Sequence, residues 1–331
     1  MRARYILRRL AQGVGVLWAA YTIAFVVLYL LPSDPVRIML SGSGAEFADP
    51  SSADLAAVQR EYGFDKPFYL QYLDSLGRAL HGDFGRSIQR GESVGTLIVD
   101  ALGQTAKLAG VAFAIALVIG LAGSLLAAFV RNRAVRQALL AVPSVAVSVP
   151  TFWSGLLLTQ VFAFSLGWVN VFDEGNVGAL LLAAVTLAVP TSAYIAQVLS
   201  KSLLTTLGEP YVEVVRSRGA SEARVVLRSG LRNASLPLFT MVGMIVGNML
   251  AGSVVVETVF ARSGIGSLTF EAVRAQDIPV VMGVVVFAAA TFVVISLVVD
   301  LVYPVLDPRV IVDSARRRTR VDLAPTEGVA P

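Results

Sequence analysis

Residues 108–130 read LAGVAFAIALVIGLAGSLLAAFV, and these 23 residues contain no Asp, Glu, Lys or Arg. At a helical rise of about 1.5 Å per residue, such a stretch can cross the hydrocarbon core of a bilayer, which requires about 20 apolar residues. Five more charge-free runs of comparable length occur in the chain: 10–33, 137–172, 175–200, 233–256 and 278–299. The six runs predict an all-α, polytopic membrane protein with six transmembrane helices.

The overall composition agrees with this prediction. Of the 331 residues, 56% are hydrophobic and 15% are charged, whereas a soluble globular protein carries about 25% charged residues. The composition therefore excludes a soluble enzyme, a nucleic-acid-binding protein and a secreted disulfide scaffold. Because the sequence contains no cysteine, thiolate catalysis and cysteine-ligated metals are excluded as well.

The motifs of several energy-using or catalytic proteins are absent from the sequence. No G-x-x-x-x-G-K-[ST] loop occurs that would hold ATP phosphates, and a single histidine, His81, rules out a multi-histidine metal site. Proton-coupled carriers place ionisable residues deep within their membrane spans. Here Asp100, Lys107, Glu257 and Asp300 fall at predicted span ends, where we interpret them as interfacial anchors. The sequence likewise lacks the convergent acid–base pair that an integral-membrane enzyme would need.

The basic residues predict the orientation of the helices, since cytoplasmic loops carry an excess of Lys and Arg. With both termini in the cytoplasm, 18 of the 27 basic residues fall in the N-terminus, the 131–136 turn, the 201–232 loop and the C-terminal tail. A second span within 137–172 would move the Arg-rich 201–232 loop outside. We therefore predict a single membrane span in that run.

The predicted organisation follows from these runs and loops. A cytoplasmic N-terminus (1–9), a first transmembrane helix (10–31) and a long extracytoplasmic segment (32–99) precede a core at 100–310 and a basic, disordered cytoplasmic tail at 311–331. Within the core, transmembrane helices are predicted at about 104–130, 137–165, 178–200, 236–257 and 279–302, with a cytoplasmic loop at 201–235.

Apolar residues in the 32–99 segment recur at helical spacing. The two sets are Leu55, Val58 and Tyr62, then Tyr69, Leu73, Leu76 and Leu80. They predict helices on the outer surface, where docking of another protein and self-contained packing both remain open.

Proline and glycine punctuate the predicted spans. Pro143, Pro150 and Pro190 interrupt helices, which a bilayer tolerates only where neighbouring helices or water satisfy the freed carbonyl. Gly243-x-x-x-Gly247 permits a close helix–helix contact. Each feature alone is an ordinary kink or packing notch; together they indicate a bundle that moves or lines a path.

The one substantial cytoplasmic loop, residues 205–237, reads TTLGEPYVEVVRSRGASEARVVLRSGLRNASLP. Glu209-Pro210 predicts a helix start, because proline is favoured in the first turn. Gly219 predicts its end, because glycine readily adopts the left-handed conformation that terminates helices. Ser221 then caps a second helix, in which Arg224, Arg228 and Arg232 recur every four residues.

Helical spacing puts Tyr211, Val214 and Val215 on one face of the first short helix and Glu213 and Arg216 on another. Two interpretations remain open on these residues alone. One is an amphipathic helix lying on the membrane surface with positive-inside charge. The other is a rigid knob that docks into a groove of a cytoplasmic partner.

The loop resembles the EAA loop of ABC importer permeases, in which Glu, two small residues and, after three more, Gly form a coupling helix that inserts into the ATPase subunit. Glu213 and Gly219 occupy the matching positions, with Val214 and Val215 in place of two alanines. The resemblance implies ATPase contacts by Glu209, Tyr211, Glu213, Val214, Val215, Arg216, Gly219 and Ala220, with Leu236 and Pro237 closing the motif.

The spacing between Gly219 and Leu236 is that of the dipeptide/oligopeptide/nickel branch, and the chain resembles its B-type permease subunit over roughly residues 1–310. One departure is Gln104, where a proline is expected before Thr105; it leaves the start of the second span open. Another is the tail beyond residue 310. The matching motifs are YILRR (5–9), LPSDPV (31–36), KP (66–67) with QYL (71–73), HGDFGRS (81–87), PTFW (150–153), VETVF (256–260), GIG (264–266), DIPVV (277–281) and LDPR (306–309).

This resemblance implies the type I ABC importer permease fold, a location in the bacterial inner membrane and a transport role without an ATPase site of its own. It implies a heterodimer with a second, homologous permease, two ABC ATPase subunits that bind ATP and Mg²⁺, and an extracytoplasmic substrate-binding protein. Apart from membrane lipid, no further partner is implied, and no cofactor is bound directly by this chain.

The cargo and the pathway are the least constrained expectations. Peptides are the expected cargo, with nickel, glutathione or another small solute of the same branch as alternatives. The fifth span is the expected pathway lining, through Met244, Asn248 and Ser253. A rival from another class is a self-sufficient secondary carrier or channel, which would transport alone and be indifferent to substitution of Gly219.

Overall fold

The computed structural model of the chain describes residues 2–30 and 67–306. In these residues the chain is helical and forms no β-sheet. The helices are α1 (Arg2–Leu30), α2 (Phe68–Ala79), α3 (Val94–Phe129), α4 (Arg133–Ser148), α5 (Thr151–Thr159), α6 (Val177–Leu207), α7 (Pro210–Ser217), α8 (Glu222–Arg224), α9 (Leu231–Ala234), α10 (Leu236–Val259), α11 (Ile265–Arg274) and α12 (Ile278–Leu306). One π-helical turn follows α5 at Gln160–Ser165, and another joins α8 to α9 at Val225–Gly230.

Five of these helices are long and apolar enough to cross a membrane, and a bent pair of helices supplies the sixth crossing if it is counted as one span. This confirms the prediction of an all-α polytopic membrane protein. The first predicted surface helix of the 32–99 segment, with Leu55, Val58 and Tyr62, and the 311–331 tail lie outside the described residues. The five long stretches are Leu7–Leu28, Val94–Phe129, Val177–Leu207, Leu236–Val259 and Ile278–Val299.

The third predicted span, at about 137–165, is interrupted at Pro150, as predicted, and is sharply bent there. It consists of two helices, Arg133–Ser148 and Thr151–Ser165, that meet at 91°. The break falls at Val149-Pro150, where Val149 has an extended backbone with ψ 123°. Proline disfavours the helical conformation in the residue before it, so Pro150 ends α4 and serves as the N-terminal boundary of α5. Pro143, by contrast, lies within α4.

Helix α3 begins at Val94, ten residues before the start predicted for the second span. Its 36 residues correspond to a length of about 54 Å, well beyond the roughly 30 Å of a hydrocarbon core. Gln104, in the position where the resemblance leads one to expect proline, lies inside this uninterrupted helix. Asp100 and Lys107 are therefore exposed residues of α3 and do not precede it.

Small residues bring the spans close together. Along the α3–α6 contact, Ala112 and Ala116 of α3 and Ala183 of α6 are fully buried in one apolar cluster. A Cβ at Gly120 would lie 2.6 Å from the Ile195 Cγ2 atom. Without a hydrophobic drive between helices in lipid, such close backbone packing is a main source of association.

The predicted close contact of the Gly243-x-x-x-Gly247 motif is made with α12. A Cβ at Gly243 would lie 3.3 Å from Ser296 Oγ, and one at Gly247 would lie 3.7 Å from Phe292 Cδ2. Helix α12 also packs against α1, where a Cβ at Gly13 would meet Val293 Cγ1 at 2.7 Å. Helix α12 thus links the first span to the core of the bundle.

Candidate functional site

The short helix α7 forms where the sequence predicts it. Glu209 is extended at its N-terminal boundary, with φ −71° and ψ 143°, and Pro210 occupies the first turn. The residue that packs inward is Val212, which is fully buried and belongs to neither of the two predicted faces. Tyr211 and Val214 are exposed, the latter by 51%, and Val215 is half-buried. The predicted apolar face therefore remains open on the surface of this chain.

The chain reverses direction after α7 through a left-handed residue. Gly219 has φ +81°, and its amide donates to the Arg216 carbonyl oxygen at 2.9 Å. Ser221 Oγ accepts a bond from the Arg224 amide at 3.4 Å, as predicted for a capping serine. An exposed ion pair, Arg216 Nη2 to Glu222 Oε1 at 3.0 Å, spans the turn. We call residues 209–234 the hairpin.

Two side-chain hydrogen bonds tie the two arms of the hairpin together. Tyr211 Oη donates to the Ser229 carbonyl oxygen at 3.2 Å, and Asn233 Nδ2 donates to Tyr211 Oη at 2.9 Å. These contacts join α7 to the π-helical turn and to α9. Neither Ser229 nor Asn233 could be predicted from a local pattern, because the contacts span 18 and 22 residues.

The base of the hairpin is embedded in the bundle. Val226 and Ala234 are fully buried against Leu199 and Leu203 of α6. A Cβ at Gly230 would lie 3.0 Å from methyl groups of Leu203 and Leu207, so a side chain here would require these two leucines to shift. Leu121 and Leu125 of α3 pack against the same cluster. The hairpin is therefore packed directly on α6 and leads through α9 into α10.

Helix α10 starts at the motif-closing Leu236, with Pro237 in its first turn. Met244 and Asn248 are both exposed, one helical turn apart on the same face. Ser253 is buried, donates to the Leu250 carbonyl oxygen at 2.8 Å and lies on the side of α10 that packs on α11 near Gly266. The structure therefore does not bring Ser253 together with the other two predicted pathway residues.

At the opposite end of α10, Glu257 occupies a buried position and is not the exposed interfacial anchor that we expected. It is 1% exposed. Its carboxylate accepts hydrogen bonds from Thr105 Oγ1 at 2.7 Å and from the amides of Gly266 at 2.8 Å and Ser267 at 3.1 Å. The amides belong to the first turn of α11, where the helix dipole favours an anion.

We call Thr105, Glu257, Gly266 and Ser267 the carboxylate clamp. Thr105 Oγ1 also accepts from the Ile265 amide at 2.8 Å, so the clamp joins α3, α10 and α11. Close packing leaves no room for change, since a Cβ at Gly266 would lie 2.5 Å from Val254 Cα. The clamp brings together the VETVF and GIG motifs quoted above.

Two further acidic residues connect loops at this end of the bundle. Asp277, at the start of α12, accepts from Ser87 Oγ at 2.5 Å and from the Gln89 amide at 3.2 Å, which joins the HGDFGRS and DIPVV motifs. Glu174 Oε1 accepts from both the amide and the hydroxyl of Ser263 at 2.7 Å. These two hydrogen bonds hold the pKa of Glu174 below its ordinary value.

Among the described residues, no group of three or more His, Cys, Asp or Glu side chains is placed to hold a metal ion. The polar contacts described at the two ends of α10 thus cap helices and join them to one another. In the described part of the chain, the feature that projects an apolar face from a tethered helix–turn–helix is the hairpin.

Comparison with protein families matches nearly the whole chain. The family described as "Binding-protein-dependent transport system inner membrane component" matches residues 105–312, and the model of its N-terminal part matches residues 2–109. These two ranges cover the span helices, the hairpin and the clamp.

Curated proteins similar to this chain carry transport names. A putative peptide permease of Brucella suis is 34% identical over 318 residues, which cover 93% of this chain and 98% of that protein. The oligopeptide transport system permease AppB of Bacillus subtilis is 33% identical over 323 residues, with 93% and 99% covered. The glutathione transport system permease GsiC of Shigella boydii is 33% identical over 306 residues, with 92% and 98% covered.

Proposed function

The chain belongs to the family of binding-protein-dependent transport system inner membrane components, and from this membership we propose that it forms one half of the transmembrane pathway of an ATP-driven peptide importer. It is an ABC importer permease of the inner membrane. We propose that the second half is a homologous permease, that two ATPase subunits bind ATP and Mg²⁺, and that an extracytoplasmic protein delivers the cargo.

The observation that carries the coupling proposal is the exposed apolar face of α7 on an otherwise well-tethered hairpin. Tyr211 and Val214 are exposed, while Val212 and the base of the hairpin are fully buried. An apolar helix face on a rigid support is suited to a groove of a partner protein. We infer that the ATPase subunit contacts residues 209–220 there, with Glu209, Glu213, Arg216 and Ala220 around the apolar centre.

The proposed coupling follows from the anchoring of the hairpin. Closure of the ATPase subunits would push on α7, and the buried contacts of Val226 and Ala234 with Leu199 and Leu203 would pass the displacement to α6. Helix α10 follows α9 after one residue, Ser235, so it would move with the same unit. The bundle would thereby alternate between inward-facing and outward-facing states.

The exposed face of α10 supports a role in the pathway or in the contact with the second permease. Met244 and Asn248 lie on this face. In a membrane, an exposed polar amide such as that of Asn248 is costly unless it faces protein, water or cargo. We propose that this face lines the pathway, with both termini of the chain in the cytoplasm.

Peptides are the proposed cargo. The support is the pair of similar proteins named as a peptide permease and an oligopeptide permease. Glutathione, itself a small peptide, is the second candidate, because the similar protein of Shigella boydii is named for glutathione transport. Mass spectrometry of ligand retained by the copurified binding protein distinguishes the two.

The coupling proposal is tested by a matched pair of glycine substitutions. Gly219 and Gly167 both have a left-handed φ, +81° and +64°, and a Cβ at either would meet nothing within 4 Å. Alanine at either position therefore costs a similar 1–2 kcal/mol of backbone strain. In the reconstituted complex, we expect Gly219→Ala to lower ATP-driven uptake severalfold and Gly167→Ala to leave uptake near that of the unmodified complex. Equal uptake by the two variants would contradict a coupling role for the hairpin.

The rival carrier is tested with the chain alone in proteoliposomes. We expect no peptide uptake without the ATPase subunits, with or without an ion gradient. Gradient-driven uptake by the isolated chain would sink the importer proposal and favour the secondary carrier.

A further inference from the structure

Helix α2 is amphipathic, but only part of its apolar surface is covered by protein. Tyr72, Leu76 and Ala79 pack against α1 and α12. Tyr69 and Leu73, on the neighbouring part of the same apolar face, are 63% and 58% exposed, and Leu80 directly after the helix is exposed as well. Arg78 lies exposed on the other side of the helix. The described part of this chain therefore leaves Tyr69, Leu73 and Leu80 largely uncovered.

The contacts of α2 with α1 fix its depth. Tyr72 Oη and Thr22 Oγ1 form a hydrogen bond of 2.7 Å, and the Tyr72 ring lies 5.3 Å from that of Phe25 and 6.1 Å from that of Tyr21. The hydrophobic stretch of α1 extends to Leu28. Thr22 is six residues before that end, or about 9 Å along the helix. The Tyr72 hydroxyl therefore lies level with the apolar stretch of α1, between one and two helical turns before the end of that stretch.

The contacts of α2 with α12 give the same depth independently. The cluster that holds Tyr72 and Leu76 also contains Met282 and, at its edge, Val286. The membrane-spanning stretch of α12 begins at Ile278, so these two residues lie four and eight positions inside it. Two separate spans thus place α2 at the same level. It lies beside the first turns of the apolar stretch of α12 and beside the last turns of the apolar stretch of α1.

From these two depth markers we propose that α2 is an interfacial helix immersed in the outer leaflet, and that lipid acyl chains cover Tyr69, Leu73 and Leu80. Amphipathic helices at a bilayer surface bury their apolar face about 5–10 Å into the boundary between headgroups and acyl chains, which agrees with the depth of Thr22. Tyrosine is favoured at this level, since its ring is apolar and its hydroxyl reaches water. Arg78 then faces the headgroups.

The immersion gives α2 a positioning role. The helix begins at Phe68, within the predicted extracytoplasmic segment 32–99. Lipid contact on one side and the α1–α12 contact on the other fix the position of α2 against the first and last spans. The lipid contact itself requires only that α1 and α12 span the bilayer, so it does not depend on the identity of the cargo or on ATP coupling.

The test uses spin labels at single cysteines, for which this cysteine-free chain needs no prior substitution. Leu73→Cys is compared with Arg78→Cys on the same helix and with Val14→Cys, which is exposed in the middle of α1. The complex is reconstituted in phosphatidylethanolamine–phosphatidylglycerol vesicles, and the collision of each label with molecular oxygen and with a water-soluble nickel chelate is measured.

We expect the ratio of oxygen to nickel accessibility to be severalfold higher at position 73 than at position 78 and to be highest at position 14. Tyr69→Cys should behave as Leu73→Cys does. A label at 73 that is as accessible to nickel as the label at 78 would overturn the proposal in favour of water. A label at 73 that is shielded from both reagents would overturn it in favour of a protein partner.

Discussion

At the Leu236 end of α10, the two arms of the hairpin are joined by exposed hydrogen bonds and an exposed ion pair, and an apolar helix face stays open. At the Glu257 end, a buried carboxylate joins three helices. The Tyr211 hydroxyl contacts are exposed, and those of Glu257 with Thr105 and Gly266 are buried. Buried, charge-assisted hydrogen bonds are worth more than exposed neutral ones. The difference indicates that one end of α10 is a fixed point and the other end presents a surface to a partner.

The largest expected effect is at the fixed end. Glu257→Ala removes the acceptor for Thr105 Oγ1 and for two amides of α11 while these donors remain buried. At roughly 1–3 kcal/mol per unsatisfied buried donor, we expect the free energy of unfolding to fall by about 3 kcal/mol or more. Thermal or denaturant unfolding of the purified complex in detergent measures this loss.

The control for this variant is Glu271→Ala at the same end of the bundle. Glu271 forms an exposed ion pair with Arg90 at 2.7 Å, and exposed pairs contribute about 0–1 kcal/mol. If the Glu257 and Glu271 variants lose equal stability, the clamp is not the fixed point that the comparison requires.

A smaller effect is expected where the Ser87 hydroxyl holds the start of α12. Ser87→Ala removes the bond from Ser87 Oγ to Asp277 Oδ2, while the Gln89 amide remains as a donor to the same oxygen. We expect a loss of about 1–2 kcal/mol, because the bond is buried and one partner is charged. Unfolding of Ser87→Ala alongside Ser263→Ala measures the difference; Ser263 donates to Glu174 at an exposed site and should cost less.

At the hairpin, the expected loss in the free energy of unfolding is smaller still. The main effect expected there is on ATP-driven uptake. Tyr211→Phe removes two exposed hydrogen bonds and should cost about 0.5–1 kcal/mol. ATP-driven uptake should nevertheless fall, because α7 is no longer tied to Ser229 and Asn233. Asn233→Ala is the companion variant, and uptake by the double variant should match the worse single one. Additive losses would show that the two residues do not act through one tether.

The smallest expected effect is on the stability of the protein at acidic pH, through Glu174. The pKa of Glu174 is lowered in the folded protein by the Ser263 hydrogen bonds, so its contribution to stability is present above the ordinary pKa of about 4.3. It is lost as the pH falls through the lowered value of the folded state. Between neutral pH and pH 3, Glu174→Gln should therefore lose less stability than the unmodified chain does. If the stability of Glu174→Gln and that of the unmodified chain fall in parallel as the pH is lowered, the contact of Glu174 with Ser263 does not stabilise this end of the bundle.

Local features of the hairpin could be predicted from sequence because the chemistry is local. Glycine at 219 ends α7 with a positive φ, and Ser221 caps the next turn within three residues. The clamp could not be predicted, because Thr105 and Glu257 are 152 positions apart and a carboxylate near a span end has an ordinary interpretation as an anchor.

The angle of the bend at Pro150 and the burial of Ser253 could not be predicted from the sequence, for two different reasons. A charge-free run shows that a segment can lie in a membrane but carries no information about its direction, so the proline predicted an interruption at Pro150 but not the angle of 91° between the two helices. The apolar sequence of α10 likewise does not reveal which face packs on α11. Ser253 therefore could not be separated from Asn248 by pattern alone.

We propose that the exposed face of α7 contacts the ATPase subunit, and a cysteine cross-link between the two is the decisive measurement. Val214→Cys on α7 is compared with Val273→Cys, which is exposed to a similar extent on α11 near the fixed end. In the assembled transporter, a short cross-linker should join position 214 to the ATPase subunit and should leave position 273 unlinked to it. An absence of any link from 214, in a complex that still imports its cargo with ATP, would contradict the account.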